Sequence, residues 1–152
     1  MQVVAEPGAA RDRATRANLG FLLAKASQRW NELLYERFVD RGYAEVRPAY
    51  GSILLPLFEE DGLRIGELGR RARLAKQTMT TMVRLLERDG LVSRRPDADD
   101  GRAMRVYLTP RAQLFRSVAE EVMSELDDLI NQSLGARRAA QLATDLEEVR
   151  DL

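Results

Sequence analysis

The sequence contains no cysteine and no histidine, and both absences exclude whole classes of chemistry. Without cysteine the chain forms no disulfide, thiolate metal site or thiol redox switch. Without histidine it lacks the commonest general base and the commonest metal ligand, which excludes a Ser-His-Asp triad. Carboxylate pairs such as Glu59-Glu60 and Glu120-Glu121 stand without a phosphate-binding loop. We therefore expect no cofactor, no metal and no enzymatic activity.

Long hydrophobic runs are also absent. The longest, such as residues 53–58, are far shorter than the roughly 20 residues that span a bilayer. Residues 1–10 lack a basic cluster followed by an apolar run, so no secretory signal is expected. Residues 1–13 are small and polar, which favours a disordered tail. The sequence thus predicts a one-domain cytoplasmic protein of 152 residues with no membrane partner.

Hydrophobic spacing predicts helices at both ends of the chain. One runs from Ala14 to about Arg41, and a second starts at Pro48 and should end early or bend at Pro56. After the middle of the chain, Thr109 and Pro110 are suited to start a third long helix. That helix should end near residue 134, and a last one should cover residues 136–150.

The middle of the chain changes from helical to alternating periodicity. A short helix is predicted over residues 65–72 and a stronger one over residues 75–88, with Met79, Met82, Val83 and Leu86 as its buried stripe. Residues 91–95 and 104–108 then alternate as two strands around a polar turn. This order predicts a mainly α fold with a small two-stranded β-wing, a winged helix-turn-helix.

The charges cancel in total but not along the chain. There are 24 basic and 24 acidic residues, and 22 of the basic residues are arginine. Residues 64–110 hold eleven basic and six acidic residues, a net of +5, whereas residues 1–63 carry −1 and residues 111–152 carry −4. A basic centre that coincides with a helix-turn-helix and a hairpin is typical of nucleic-acid binding.

The central segment resembles the MarR (multiple antibiotic resistance regulator) family of bacterial transcription factors. The resemblance rests on Leu-Glu-Arg-Asp-Gly-Leu-Val at residues 86–92, and on the wing pattern of Asp100, Arg102 and Leu108-Thr109. Helix number and order are similar over residues 14–150. The resemblance implies a homodimer that binds a palindromic operator in double-stranded DNA, usually as a repressor released by a small aromatic or anionic effector.

The same resemblance implies a division of the chain. Residues 14–62 would form N-terminal helices for dimerisation and a pocket, residues 63–110 the DNA-binding region, and residues 111–152 the C-terminal dimerisation helices. The dimer would thus form through the N- and C-terminal helices.

The residues that we expect to contact DNA lie on the second helix of the motif and on the wing. Gln77 can bind adenine through two hydrogen bonds, and threonines can meet thymine methyls or phosphates. Arg102 resembles the wing arginine of the family, which enters the minor groove, where a guanidinium suits the negative potential. Asp100 should anchor the loop by pairing with a nearby arginine. The full set is Lys76, Gln77, Thr78, Thr80, Thr81, Arg84, Arg94, Arg95 and Arg102.

Two further interpretations remain open. An effector pocket is predicted around Trp30, Arg47 and Tyr50, because an aromatic ring beside a cation suits an aromatic carboxylate, although such residues are often simply core. The alternative function is a winged helix that docks protein partners without binding DNA. The polar and basic face of residues 76–84 favours DNA over that alternative.

Overall fold

The computed structural model describes residues 18–152, so the predicted tail at residues 1–13 and the predicted helix start at Ala14 lie outside the described residues. The chain divides into two compact units between Leu33 and Leu34. The helices and strands are α1 Leu19–Asp40, a 3-10 helix Pro48–Tyr50, α2 Gly51–Glu59, β1 Leu63–Arg64, α3 Ile65–Ala72, α4 Lys76–Arg88, β2 Val92–Pro96, β3 Met104–Leu108, α5 Pro110–Leu134 and α6 Ala136–Arg150.

The first unit is the N-terminal part of α1. Asn18 caps this helix, since its side-chain oxygen accepts hydrogen bonds from Gly20 N at 2.8 Å and Phe21 N at 3.4 Å. Leu19 and Leu22 are exposed by 78% and 49%. The predicted apolar face is therefore present on this helix, and the residues of its own unit leave it exposed.

The second unit holds one hydrophobic core, to which nearly every element contributes. Phe38 packs edge-on against Phe115 of α5, with ring centroids 4.8 Å apart. Ile53, Leu54 and Leu57 of α2 are at most 1% exposed. That burial explains why α2 continues to Glu59 beyond Pro56, where an early end or a bend was expected, because the packing offsets the hydrogen bond that proline cannot make.

The sheet has one strand more than the sequence predicted. β3 lies between β2 and the two-residue β1, and both pairings are antiparallel. Leu63 pairs with Val106, and both side chains are buried, whereas Arg64 pairs with Arg105 on the opposite face. A two-residue strand leaves no alternating pattern in a sequence, so only the fold reveals that the wing is fastened to the start of α3.

The two C-terminal helices match their predicted limits. Thr109 caps α5 by accepting a hydrogen bond from Ala112 N at 3.2 Å, and Pro110 occupies the first helical position. Gly135 has a φ of +83° and separates α5 from α6. In the described chain α6 contributes no buried residue, and Leu142, Leu146 and Val149 are each exposed by about two fifths.

Candidate nucleic-acid interface

The orientation of α4 is fixed by its buried side. Met79, Val83 and Leu86 are at most 1% exposed, as predicted, and Met82 is half-buried. Gly69 of α3 allows close approach, because a Cβ there would lie 3.2 Å from Cγ of Met79. The opposite side of α4 is consequently turned to solvent. It carries all of the residues predicted on this helix, namely Lys76, Gln77, Thr78, Thr80, Thr81 and Arg84.

Two of the threonines on this face are engaged with the helix backbone. The hydroxyl of Thr80 donates to the carbonyl oxygen of Lys76 at 3.0 Å, and that of Thr81 donates to Gln77 at 3.2 Å. These bonds satisfy the hydroxyl protons and restrict the side-chain rotamers. The γ-methyl groups and the hydroxyl lone pairs stay available for contacts outside the protein.

Most cations of the basic centre already have a carboxylate partner. Arg70 pairs with Glu67, Arg71 with Glu60, Arg73 with Asp151, Arg88 with Asp89, and Arg64 and Arg105 with Asp97. Arg94, which we expected to contact phosphate, bonds Glu87 at 2.6 Å. Among the described residues, the cations of this segment without a carboxylate within 4.0 Å are Lys76, Arg84 and Arg95. All three belong to the predicted DNA-contact set.

Arg95 is held by an aromatic ring instead of an acid. Its guanidinium lies over the ring of Tyr107, 4.8 Å from the centroid. The backbone just before β1 approaches the same ring, since a Cβ on Gly62 would lie only 2.6 Å from Cε1 of Tyr107. Gly62 also has a φ of +71°, so two independent constraints require glycine there.

The tip of the wing presents Arg102 to solvent. Its side chain is 97% exposed, the largest exposure among the paired cations of the described chain, and its Nε lies 3.6 Å from the Asp100 carboxylate. Oδ1 of Asp100 also accepts a hydrogen bond from Arg102 N at 3.1 Å. The structure therefore places Asp100 as a cap for the turn and as a loose partner for Arg102, in keeping with its expected pairing with an arginine.

A different aspartate lies at the centre of the wing. Asp97 is only 3% exposed and accepts from Arg64 Nε at 2.8 Å, Arg105 Nε at 2.9 Å and Asp99 N at 2.8 Å. The bond from Asp99 N, together with those from Arg105 and Arg64, lowers the pKa of Asp97 from 3.8 to about 2. Asp97 is not among the site residues predicted from the sequence. The pattern that could have indicated it is an aspartate in a turn, whose carboxylate can accept a hydrogen bond from the backbone amide two residues later.

The predicted pocket residues belong to different units of the chain. Trp30 belongs to the unit of residues 18–33, whereas Arg47 is exposed and Tyr50 is buried in the second unit. The hydroxyl of Tyr50 donates to the Asp89 carboxylate at the end of α4. Burial and this bond raise the pKa of Tyr50, and Asp89, which also pairs with Arg88, has a lowered pKa. Tyr50 thus braces α4, and its role toward an effector stays a prediction.

Comparison with known proteins agrees with this geometry. The model of the MarR family matches residues 48–104. An HTH-type transcriptional repressor of Mycobacterium tuberculosis is 31% identical over 93 residues, which are 61% of this chain and 67% of that protein. The chain belongs to the MarR family. Another relative, the HTH-type transcriptional regulator TtmR of Methylorubrum extorquens, is 31% identical over 65% of this chain and half of its own length.

Solved structures place the whole described architecture among MarR-type folds. The transcriptional regulator PcaV of Streptomyces coelicolor, in complex with its natural ligand, has a TM-score of 0.75 at 23% identity and covers 99% of this chain and 98% of its own. The repressor CouR bound to a 23-mer DNA duplex has a TM-score of 0.75 at 22% identity, over 87% of this chain and 92% of its own. At these identities the likeness concerns the fold.

Two other properties of the described chain bear on the site. Over residues 18–152 no helix is both long enough and apolar enough to cross a membrane. Within the same residues no group of three or more acidic side chains is arranged to hold a metal ion. Two aspartates of the wing instead accept hydrogen bonds within the protein: Asp97 from two arginines and a backbone amide, and Asp100 from the backbone amide of Arg102.

Proposed function

We propose that this MarR-family chain is a transcriptional regulator that binds double-stranded DNA sequence-specifically and acts as a repressor. The observation that carries the proposal is the position of the available cations. Lys76 and Arg84 project from the solvent side of α4, and Arg102 projects from the wing tip. A phosphate backbone supplies the negative charge that Lys76 and Arg84 lack among the described residues, and that Arg102 meets only in its loose pairing with Asp100.

We further propose that the active form is a homodimer built by the terminal helices. Leu142, Leu146 and Val149 on α6 and Leu129 on α5 are apolar, exposed and spaced along helix faces. A second copy of the chain would cover them. Two copies would place two α4 helices about one helical turn of DNA apart, or roughly 10 base pairs, which matches a palindromic operator.

An effector that releases the DNA is part of the same proposal, supported by the ligand-bound PcaV structure with its similar fold. A small aromatic or anionic compound is the class to test first, and Trp30, Arg47 and Tyr50 remain the residues to probe.

The function as a protein-docking winged helix is less well supported, because the solvent side of α4 is polar and basic instead of apolar.

The test begins with selection of bound sequences from a random duplex pool, followed by titration at several salt concentrations. If Lys76, Arg84, Arg95 and Arg102 of both subunits touch phosphates, the logarithm of affinity should fall with a slope of about −7 against the logarithm of salt concentration. Binding that is insensitive to salt and indifferent to palindromes would contradict the proposal.

Substitution Arg102→Ala isolates the wing. We expect about tenfold weaker operator binding, because a minor-groove guanidinium is lost. The dimer should be unchanged by size-exclusion chromatography with light scattering. Arg70→Ala is the matched control, since Arg70 is exposed but already bonded to Glu67. Equal affinities for wild type and Arg102→Ala would remove the wing from the interface.

A further inference from the structure

Asp97 is the one charged side chain of the described residues that is fully buried. A carboxylate at 2% side-chain exposure loses most of its hydration, and the loss is tolerable only when its oxygens accept good hydrogen bonds. Both oxygens do so. Oδ2 accepts from the two guanidinium groups, and Oδ1 accepts from the backbone amide of Asp99. Such a fully bonded group tolerates little displacement.

The surroundings of Asp97 show what its charge offsets. The strand register sets Arg64 opposite Arg105 and Arg105 opposite Arg95, so three arginines cross the sheet side by side on one face. Like charges directly opposite each other destabilise neighbouring strands. Asp97 bridges the first two, while Tyr107 lies under the third. The carboxylate of Asp97 thus offsets the repulsion between Arg64 and Arg105 within this row.

The same carboxylate controls the path of the wing turn. Asp97 N donates to Ala103 O at 2.8 Å and closes the hairpin, and the Asp99 amide is tied back to the Asp97 side chain. Arg102 lies within this closed loop, and among the described residues its one ion pair is the loose pairing with Asp100, which also accepts from its backbone amide. The direction in which Arg102 leaves the surface therefore depends on how rigidly the base of the turn is held.

We propose that Asp97 is the positioning residue of the wing. By joining Arg64 of β1, Arg105 of β3 and the Asp99 amide, it fixes the hairpin to the helix-turn-helix and presents Arg102 at one place relative to α4. The inference rests on the proposed DNA-binding function and adds a residue to it. Asp97 itself does not touch DNA.

The decisive experiment compares Asp97→Asn with Asp99→Asn. Both variants remove one negative charge from the same turn, and a purely electrostatic effect would strengthen DNA binding in both. We expect opposite signs. Asp97→Asn should weaken operator binding about tenfold, because an amide NH₂ group faces an arginine donor, whereas the exposed Asp99→Asn should bind equally or up to about twofold more tightly. Equal or tighter binding by both variants would overturn the proposal.

A double variant separates positioning of Arg102 from general damage. If Asp97 acts through Arg102, then Asp97→Asn should cost almost nothing in the Arg102→Ala background. If it merely loosens the fold, the two losses should multiply to about a hundredfold, and the positioning role is refuted.

Hydrogen exchange gives a readout that does not require DNA. In Asp97→Asn the amides of Asp99, Arg102 and Ala103 should exchange at least about tenfold faster, with the amides of α4 unchanged. Unchanged wing amides would overturn the proposal even if the operator were never found. A wild-type protein that binds no DNA but shows this exchange pattern would refute the proposed function and retain the structural role of Asp97.

A second variant covers the case in which Asp97→Asn fails to fold. Arg64→Ala removes one arginine and leaves the buried carboxylate bonded to Arg105 and to the Asp99 amide. We expect about threefold weaker binding and faster exchange at Asp99. Wild-type values for both measurements would overturn the proposal.

Discussion

In the helix-turn-helix, α3 together with its C-cap residue carries three cations and α4 carries three, but the two helices hold them in different ways. On α3 and its C-cap, Arg70, Arg71 and Arg73 all bond carboxylates, two of which come from outside the basic segment. On α4, Arg88 bonds Asp89, whereas Lys76 and Arg84 have no carboxylate within 4.0 Å in the described chain.

This difference shows that the net charge of a segment overstates what a ligand meets. The +5 of residues 64–110 is partly cancelled by Glu60 and Asp151, which the sequence assigns to the acidic flanks. What remains uncompensated is concentrated on one helix face and at the wing. The candidate interface differs from ordinary arginine-rich surface in the position of a few available cations, not in the total number of cations.

The comparison predicts its largest effect for a pair of double variants. Lys76→Ala/Arg84→Ala should weaken operator binding about a hundredfold and reduce the salt slope by about 3.6, since a dimer loses four phosphate contacts. Arg70→Ala/Arg71→Ala removes the same charge from α3 and should change affinity less than about threefold, because those groups are already bonded to acids. Fluorescence anisotropy at several salt concentrations measures both.

These two double variants should unfold at nearly the same temperature as wild type, because all four side chains point away from the core. Equal losses of affinity in both would show that α3 cations are as available as those of α4, and the comparison would fail.

A smaller effect follows from making α3 resemble α4. Glu67→Gln removes the acid that bonds Arg70, while Arg71 keeps Glu60. Affinity for non-specific duplex should rise about threefold because one cation per subunit becomes available. Arg70 and then Arg71 lower the pKa of Glu67 below 4.5, so the acid stays ionised above that value. The difference between variant and wild type should therefore be constant from pH 8 to about pH 5.

Disappearance of that difference between pH 8 and pH 6 would contradict an ionised Glu67 in the wild type. Glu59→Gln serves as the control, since Glu59 is exposed and has no ion pair within the described residues.

The smallest effect concerns the contact between α6 and the turn before α4. Arg73 donates to Asp151 Oδ1 at 3.1 Å and to Arg150 O at 3.3 Å. Asp151→Asn should raise non-specific affinity about twofold by weakening the hold on Arg73. Asp145→Asn removes the same charge from the same helix but lies away from Arg73, and a rise of equal size there would indicate only a general charge effect.

The regular elements could be predicted because their signals are local. Thr109-Pro110 and Gly135 define α5, and the stripe of Met79, Val83 and Leu86 defines the buried side of α4. The strand β1 could not be predicted, since two residues have no period and their pairing with β3 joins positions about forty residues apart.

The sequence indicated which residues could form the candidate site, but it did not indicate which partner each side chain has in the fold. Sequence reasoning named Arg94 and Arg95 alike, although strand alternation turns Arg94 toward Glu87 and Arg95 onto Tyr107. It named Asp100 as the structuring aspartate of the wing, whereas burial distinguishes Asp97 from the other aspartates of the turn. Partner choice and burial depend on distant segments, so no local pattern contains them.

The solvent face of α4 has a consequence for how such a protein can change over time. Gln77, Thr78, Thr80 and Thr81 contribute nothing to the core, because all four are exposed. Substitutions at these positions therefore leave the free energy of folding nearly unchanged. A lineage with this architecture can acquire a new operator by point changes on one helix face, while the buried stripe and the Asp97 junction preserve the frame that presents it.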